Sequence, residues 1–159
     1  MTHADDHEYA ASVVWTGARA GPTISYQTYS REYEYRSGDK PWMKGSADPQ
    51  FRGDAALYNP EEMLVIALST CHLLSYLALC ALAKLPVVAY EDAARGTMKA
   101  VDGVVRFTDV LLTPRVTIAA GADAGKALAL HHNARAECYI ANSVNFPVRD
   151  EPTIIVAPA

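Results

Sequence analysis

The sequence predicts an α+β fold in a single domain covering residues 1–159. Three observations carry this expectation. The first third is crowded with aromatic and β-branched residues, which suit sheets. A long apolar run with a capped start occupies the middle of the chain. Behind it come a turn-linked pair of strands, a second helix and a short last strand.

The elements follow in order. Glu8 to Thr16 alternates, with Tyr9, Ala11, Val13 and Trp15 on one face, as in a half-buried strand. Gly21-Pro22 marks a turn. Thr23 to Arg36 carries Ile24, Tyr26, Tyr29, Tyr33 and Tyr35 and reads as a strand pair or one long bent strand. Ser37 to Gly53 is a loop rich in Gly, Pro, Asp and Ser, and loops of such length are often functional. The whole of 8–53 is thus strand-rich. Asn59-Pro60-Glu61-Glu62 is a helix start: Asn59 suits the N-cap, Pro60 the first helical position, and Glu62 the return bond of a capping box. This central helix spans 59–84, with Pro86 as its stop. Val87–Ala100 and Val104–Ile118 form a hairpin over 87–118, turned at Asp102-Gly103. Pro114 suggests an edge strand or a bulge there. Asp123 caps a second helix over 124–142, and Thr153–Val156 is the final strand, 153–156.

Composition narrows the function. With 14 basic and 18 acidic residues the net charge is -4, and no Lys/Arg run exists to grip a nucleic-acid backbone. The start, MTHADDHEYA, is polar and acidic rather than signal-like, so a cytoplasmic location is expected, with His3 and His7 solvated. Three cysteines in that setting are buried thiols, metal ligands or redox groups rather than a disulfide framework. Met63 to Ala83 is long and apolar enough for a membrane span. Ser69, Thr70, His72 and Ser75 interrupt it, however, and a helix apolar nearly all round also suits a core or an oligomer interface.

The cysteines carry the chemistry. Cys71 lies about three turns into the central helix and Cys138 near the end of the second helix. Cys80 follows Cys71 on the opposite face of the same helix, at about 100° per residue, so these two cannot bridge. A working pair is therefore Cys71 with Cys138 or Cys80 with Cys138, and the apolar surroundings of Cys80 mark it as an inert core thiol. A nucleophilic cysteine must be a thiolate, which needs a nearby cation. Glu61, left free by the cap, can hold such a cation, and Arg52 in Phe51-Arg52-Gly53-Asp54 sits in the loop before the helix. Glu61 equally favours the helix dipole, and Arg52 equally suits a solvated loop.

These residues suggest a family. Asn59-Pro60-Glu61-Glu62-Met63-Leu64 and Ser69-Thr70-Cys71-His72-Leu73-Leu74-Ser75 resemble the central helix of the OsmC/Ohr proteins. The likeness continues in Leu85-Pro86-Val87, in Thr113-Pro114-Arg115-Val116, and in Cys138-Tyr139-Ile140-Ala141-Asn142-Ser143-Val144. The resemblance implies antiparallel sheets wrapped around a long central helix in an intertwined homodimer. It implies a thiol peroxidase that reduces organic hydroperoxides, with Cys71 in the peroxidatic place and Cys138 in the resolving one. Glu61 takes the place of the glutamate that positions an arginine. That arginine is Arg52 if it comes from the loop before the helix, as the Phe-Arg-Gly-Asp sequence favours, or Arg19 if it comes from the first hairpin. No metal or organic cofactor is implied, and an external thiol or lipoyl-type dithiol is the implied reductant. His72 departs from the Phe often found after this cysteine.

Three rivals are weaker. A zinc site built on Cys71, His72, His131 and Cys138 lacks any CxxC or HExxH spacing. A Cys–His hydrolase lacks an elbow motif, and His72 points about 100° away from Cys71. A dimeric redox-sensing or small-molecule-binding module would use the same thiol pair without useful turnover.

Overall fold

The computed structural model describes residues 6–159. His7 is exposed, and His3 lies outside the described residues. The chain forms two compact units, one ending at Met63 and the other running from Leu64 to Ala159.

In the first unit, β1 (Ser12–Val14), β2 (Tyr33–Arg36) and β3 (Met43–Gly45) make an antiparallel sheet in that order. Much less of this region is strand than its composition suggests. Thr16–Ala20 is a 3-10 turn, and most of Thr23–Glu32 is irregular. The reason is Arg31. Its guanidinium stacks on Tyr29 at 3.7 Å and Tyr26 at 4.6 Å and donates to both of their carbonyls, so these tyrosines wrap a cation instead of lining a pleat. The 37–53 loop holds β3 and a 3-10 turn at Pro49–Phe51. Gly45 in β3 lies so close to the Tyr33 ring that a Cβ would overlap it.

Helix α1 (Pro60–Leu82) starts where the sequence predicts. Asn59 Oδ1 accepts the Glu62 N–H at 2.8 Å, and Glu62 Oε2 accepts the Asn59 N–H at 3.2 Å, which closes the capping box. By length and composition this helix is apolar enough to cross a membrane. Its buried residues are Leu68, His72, Tyr76 and Cys80, a stripe with a step of four.

In the second unit the expected hairpin is four strands, not two: β4 (Val87–Asp92), β5 (Arg95–Val101), β6 (Val104–Leu112) and β7 (Pro114–Ile118). Asp92 Oδ1 takes the Thr113 N–H at 2.7 Å, and Asp92 Oδ2 takes the Ser69 hydroxyl. These bonds bend both runs at one level. The Asp102-Gly103 turn forms as predicted, with φ of 52° and 78°, the left-handed pair a two-residue hairpin needs. Pro114 is not at an edge. It opens β7, a central strand, where the first residue tolerates a missing N–H.

Asp123 caps α2 (Ala124–Glu137), accepting the Lys126 N–H at 2.9 Å. The helix ends five residues before the expected 142, because Cys138 turns extended (ψ 108°) and a 3-10 turn, Ala141–Ser143, follows. A short strand the sequence did not reveal, β8 (Val148–Asp150), pairs in parallel with β6; β9 (Thr153–Val156) pairs in parallel with β7. The sheets are thus β4-β7-β9 and β5-β6-β8. One core cluster gathers Tyr76, Cys80, Leu85, Val116, Ile118, Ala127 and Ala134; a second centres on Leu68, Val110 and Leu112. Each fully buried large aliphatic side chain there contributes roughly 1.5–3 kcal/mol.

Candidate active site: a thiol pair and its surroundings

Helices α1 and α2 set the thiols. The buried face of α2 runs through Ala127, His131 and Ala134 to its C-cap, Cys138, at helical spacing. Cys71 lies one position before the buried His72 of α1 and is half-buried. Both cysteines are free thiols, and Cys71 lies close enough to Cys138 to raise the Cys138 thiol. The Ala141 N–H points at Cys138 Sγ at 3.5 Å. Burial pushes the Cys138 thiol up to about 11, the Cys71 thiol adds to the rise, and the Ala141 N–H opposes it. Cys138 is therefore a protonated, buried thiol at neutral pH, and Cys71 is the partner that reagents can reach.

Cys80 stays apart from this pair. It is 1% exposed inside the larger core cluster, beside Tyr76, and burial raises its thiol above the ordinary value. It has the surroundings of a structural core thiol.

Next to Cys71 lies a histidine pair that the sequence had suggested only as zinc ligands or hydrolase bases. His72 Nε2 and His131 Nδ1 are 3.0 Å apart, and both residues are 1% exposed. The Tyr76 ring stacks on His131 at 3.8 Å, and its hydroxyl donates to the Ala127 carbonyl at 3.1 Å. The outer ring nitrogens, His72 Nδ1 and His131 Nε2, have no partner among the described residues. The signal was present as two histidines falling on the apolar stripes of two helices. Among the described residues no three His, Cys, Asp or Glu side chains are grouped so as to hold a metal ion.

Glu61 belongs to the first unit, in the opening turn of α1. It lines a cavity of about 290 Å³ with Arg31, Trp15, Tyr29, Tyr33 and Asp48. Burial raises the Tyr33 phenol, and the charges of Tyr35 and Glu61 add to that. Arg52 is not in this cavity and makes no ion pair with Glu61 among the described residues. It ends the Pro49–Phe51 turn in a left-handed conformation (φ 67°) with its side chain exposed, because Asp48 caps the turn through the Gln50 N–H. Arg19 lines a different cavity, of about 190 Å³, with Glu32, Glu34 and Lys44. The arginine that shares a cavity with Glu61 is Arg31. Its signal was the row of tyrosines around it, a setting that favours a guanidinium.

Fold and site define a class: an α+β protein whose two helices bring a half-buried thiol against a buried one. Comparison with known proteins narrows it. The model of the OsmC-like protein family matches residues 53–151, and the chain belongs to that family. A solved OsmC-like protein of unknown function from Vibrio cholerae is 30% identical, with a TM-score of 0.85, over 93% of this chain and 100% of that one. An OsmC-like protein from Mycoplasma pneumoniae shares the fold at 12% identity and TM-score 0.74, over 94% of this chain and 99% of the other. An organic hydroperoxide resistance protein from Elizabethkingia anophelis shares it at 14% identity and TM-score 0.71, over 98% and 100%. No match was found among curated proteins.

Proposed function

We propose that this protein is a thiol-dependent peroxidase that reduces organic hydroperoxides to alcohols through a Cys71 sulfenic acid and a Cys71–Cys138 disulfide. The observation that carries this reading is the closeness of a half-buried thiol on one helix to a buried, protonated thiol at the end of the other. Membership of a family with structural neighbours named for organic hydroperoxide resistance supports it.

The Cys71 thiolate attacks the distal oxygen of the peroxide, and the O–O bond breaks. The departing alkoxide takes a proton and leaves as the alcohol, with Cys71 oxidised to the sulfenic acid. Cys138 then attacks the Cys71 sulfur, and its thiol proton leaves with the hydroxyl as water. An external thiol or lipoyl-type dithiol reduces the disulfide by exchange. The role of site arginine goes to Arg31 rather than Arg52, because Arg31 and Glu61 share one cavity of the first unit. A homodimer is part of the reading. It is supported by the apolar residues α1 leaves exposed, Leu74 at 67% and Leu82 at 82%. A cytoplasmic setting keeps the thiols reduced.

The test is stopped-flow consumption of cumene hydroperoxide by the reduced protein, with intact mass before and after. The expected result is fast stoichiometric reaction with loss of two hydrogens, mapped to Cys71–Cys138. Reaction no faster than that of a free thiol, or full multiple turnover in Cys71→Ser, overturns the reading and leaves a binding or sensing module.

A further inference from the structure

We propose that the His72–His131 imidazole pair is a positioning device that holds Cys71 and Cys138 in register for disulfide formation. The inference deepens the redox reading of the thiol pair and rests on it.

The seam between α1 and α2 is a ladder of side chains with opposite chain directions. Cys71 meets Cys138, His72 meets His131, and Tyr76 meets the Ala127 carbonyl. The imidazole pair joins the helices one residue past Cys71 on α1 and about two turns before Cys138 on α2. His72 directly follows Cys71, and His131 precedes Cys138 by seven residues, about two turns along the same face of α2. The 3.0 Å bond between the rings fixes the rotation and the level of one helix against the other at this point. Cys71, the adjacent residue, inherits both directly, and Cys138 inherits them through about two turns of α2.

Packing alone does not explain two histidines here. Either tautomer uses one proton for the inner bond and leaves one buried N–H and one buried ring nitrogen with no partner among the described residues. A pair of leucines would fill the seam with no orphan group. Leucines slide past one another, however, whereas the imidazole bond has one length and one direction. Tyr76, stacked on His131 and bonded to Ala127, holds the second ring in place. Two thiols joined by so short a link gain most from such pre-set geometry.

The test is the equilibrium between the Cys71–Cys138 dithiol and its disulfide in glutathione buffers, which gives the effective concentration of one thiol at the other. It needs no peroxide, so a protein that fails to consume hydroperoxide still tests this inference. The double variant His72→Leu/His131→Leu removes both imidazoles together, leaves no orphan group and keeps the seam filled. The variants His72→Gln and His131→Asn each place an amide near the ring nitrogen used, Nε2 and Nδ1 respectively. A drop of about tenfold or more in effective concentration is expected for the double variant, of the order that misplacing reacting groups produces. The amide variants should stay within about threefold of the parent, since they keep the bond that sets the geometry. An unchanged equilibrium in the folded double variant overturns the proposal, and so does an equal loss in the amide variants.

Discussion

Acid should weaken this protein through its core before it reaches most surface carboxylates. The perturbation is protonation of the buried imidazole pair. A proton added to either ring puts a cation at a 1% exposed position, with a new N–H that finds no acceptor. Burial, reinforced by His72, lowers His131 from 6.5 to about 4. Burial also lowers His72; Asp150 and Asp92 pull it back up, and Arg135 opposes them. The sign follows from proton counting. The unfolded chain binds a proton at His131 below about pH 6.5, whereas the folded chain does not until about pH 4. The stability is therefore fully present above the unfolded value and is lost as pH falls toward the folded one. At about 1.4 kcal/mol per pH unit, His131 alone removes roughly 3 kcal/mol between neutrality and about pH 4. Urea unfolding at several pH values in that interval, for the parent and for His72→Leu/His131→Leu, isolates the pair from the carboxylates that both proteins share. An identical pH slope in the two proteins would refute the reasoning.

Two further outcomes are expected. Cys138→Ser should still consume one equivalent of hydroperoxide but gain oxygen at Cys71 instead of forming a disulfide; intact mass distinguishes the two. Leu68→Ala, at a fully buried position against Val110 and Leu112, should cost about 2–5 kcal/mol in urea unfolding and leave the thiol chemistry in place.

What the sequence disclosed were the features set by local chemistry. Asn59 and Glu62 form their box because both partners lie within one turn. Asp102-Gly103 turns because its two residues tolerate positive φ. Asp123 caps α2 for the same local reason. What it hid depends on residues far apart in the chain. Asp92 and Thr113 are far apart in the chain, and only their mutual bond and the Ser69 bond show that both runs are interrupted at one level. The α2 pattern runs past Glu137 on apolar residues, and no glycine or proline marks the stop. In the candidate site the cysteine types were legible, but the neighbour of Glu61 was not. Arg52 is nearer in sequence, whereas Arg31 is fixed by stacking among tyrosines. Each histidine falls on the apolar stripe of its own helix, but the bond between residues 72 and 131 joins two helices far apart in the chain.

The bend at Asp92 has a mechanical consequence. Three strand runs are interrupted at one level: between β4 and β5, between β6 and β7, and between β8 and β9. Beside that line Asp92 pairs with Pro114 on one side, and Arg95 with Leu111 and Leu112 with Asp150 on the other. The ribbon is therefore creased rather than curved, like folded card, and the crease is latched by the Asp92 carboxylate and by the Glu151 N–H on the Leu112 carbonyl at 2.9 Å. A creased ribbon concentrates its compliance in one line and keeps the panels on either side stiff. Amides along the crease should exchange with deuterium as a group, faster than those in either panel, and Asp92→Ala should loosen the crease without melting the panels.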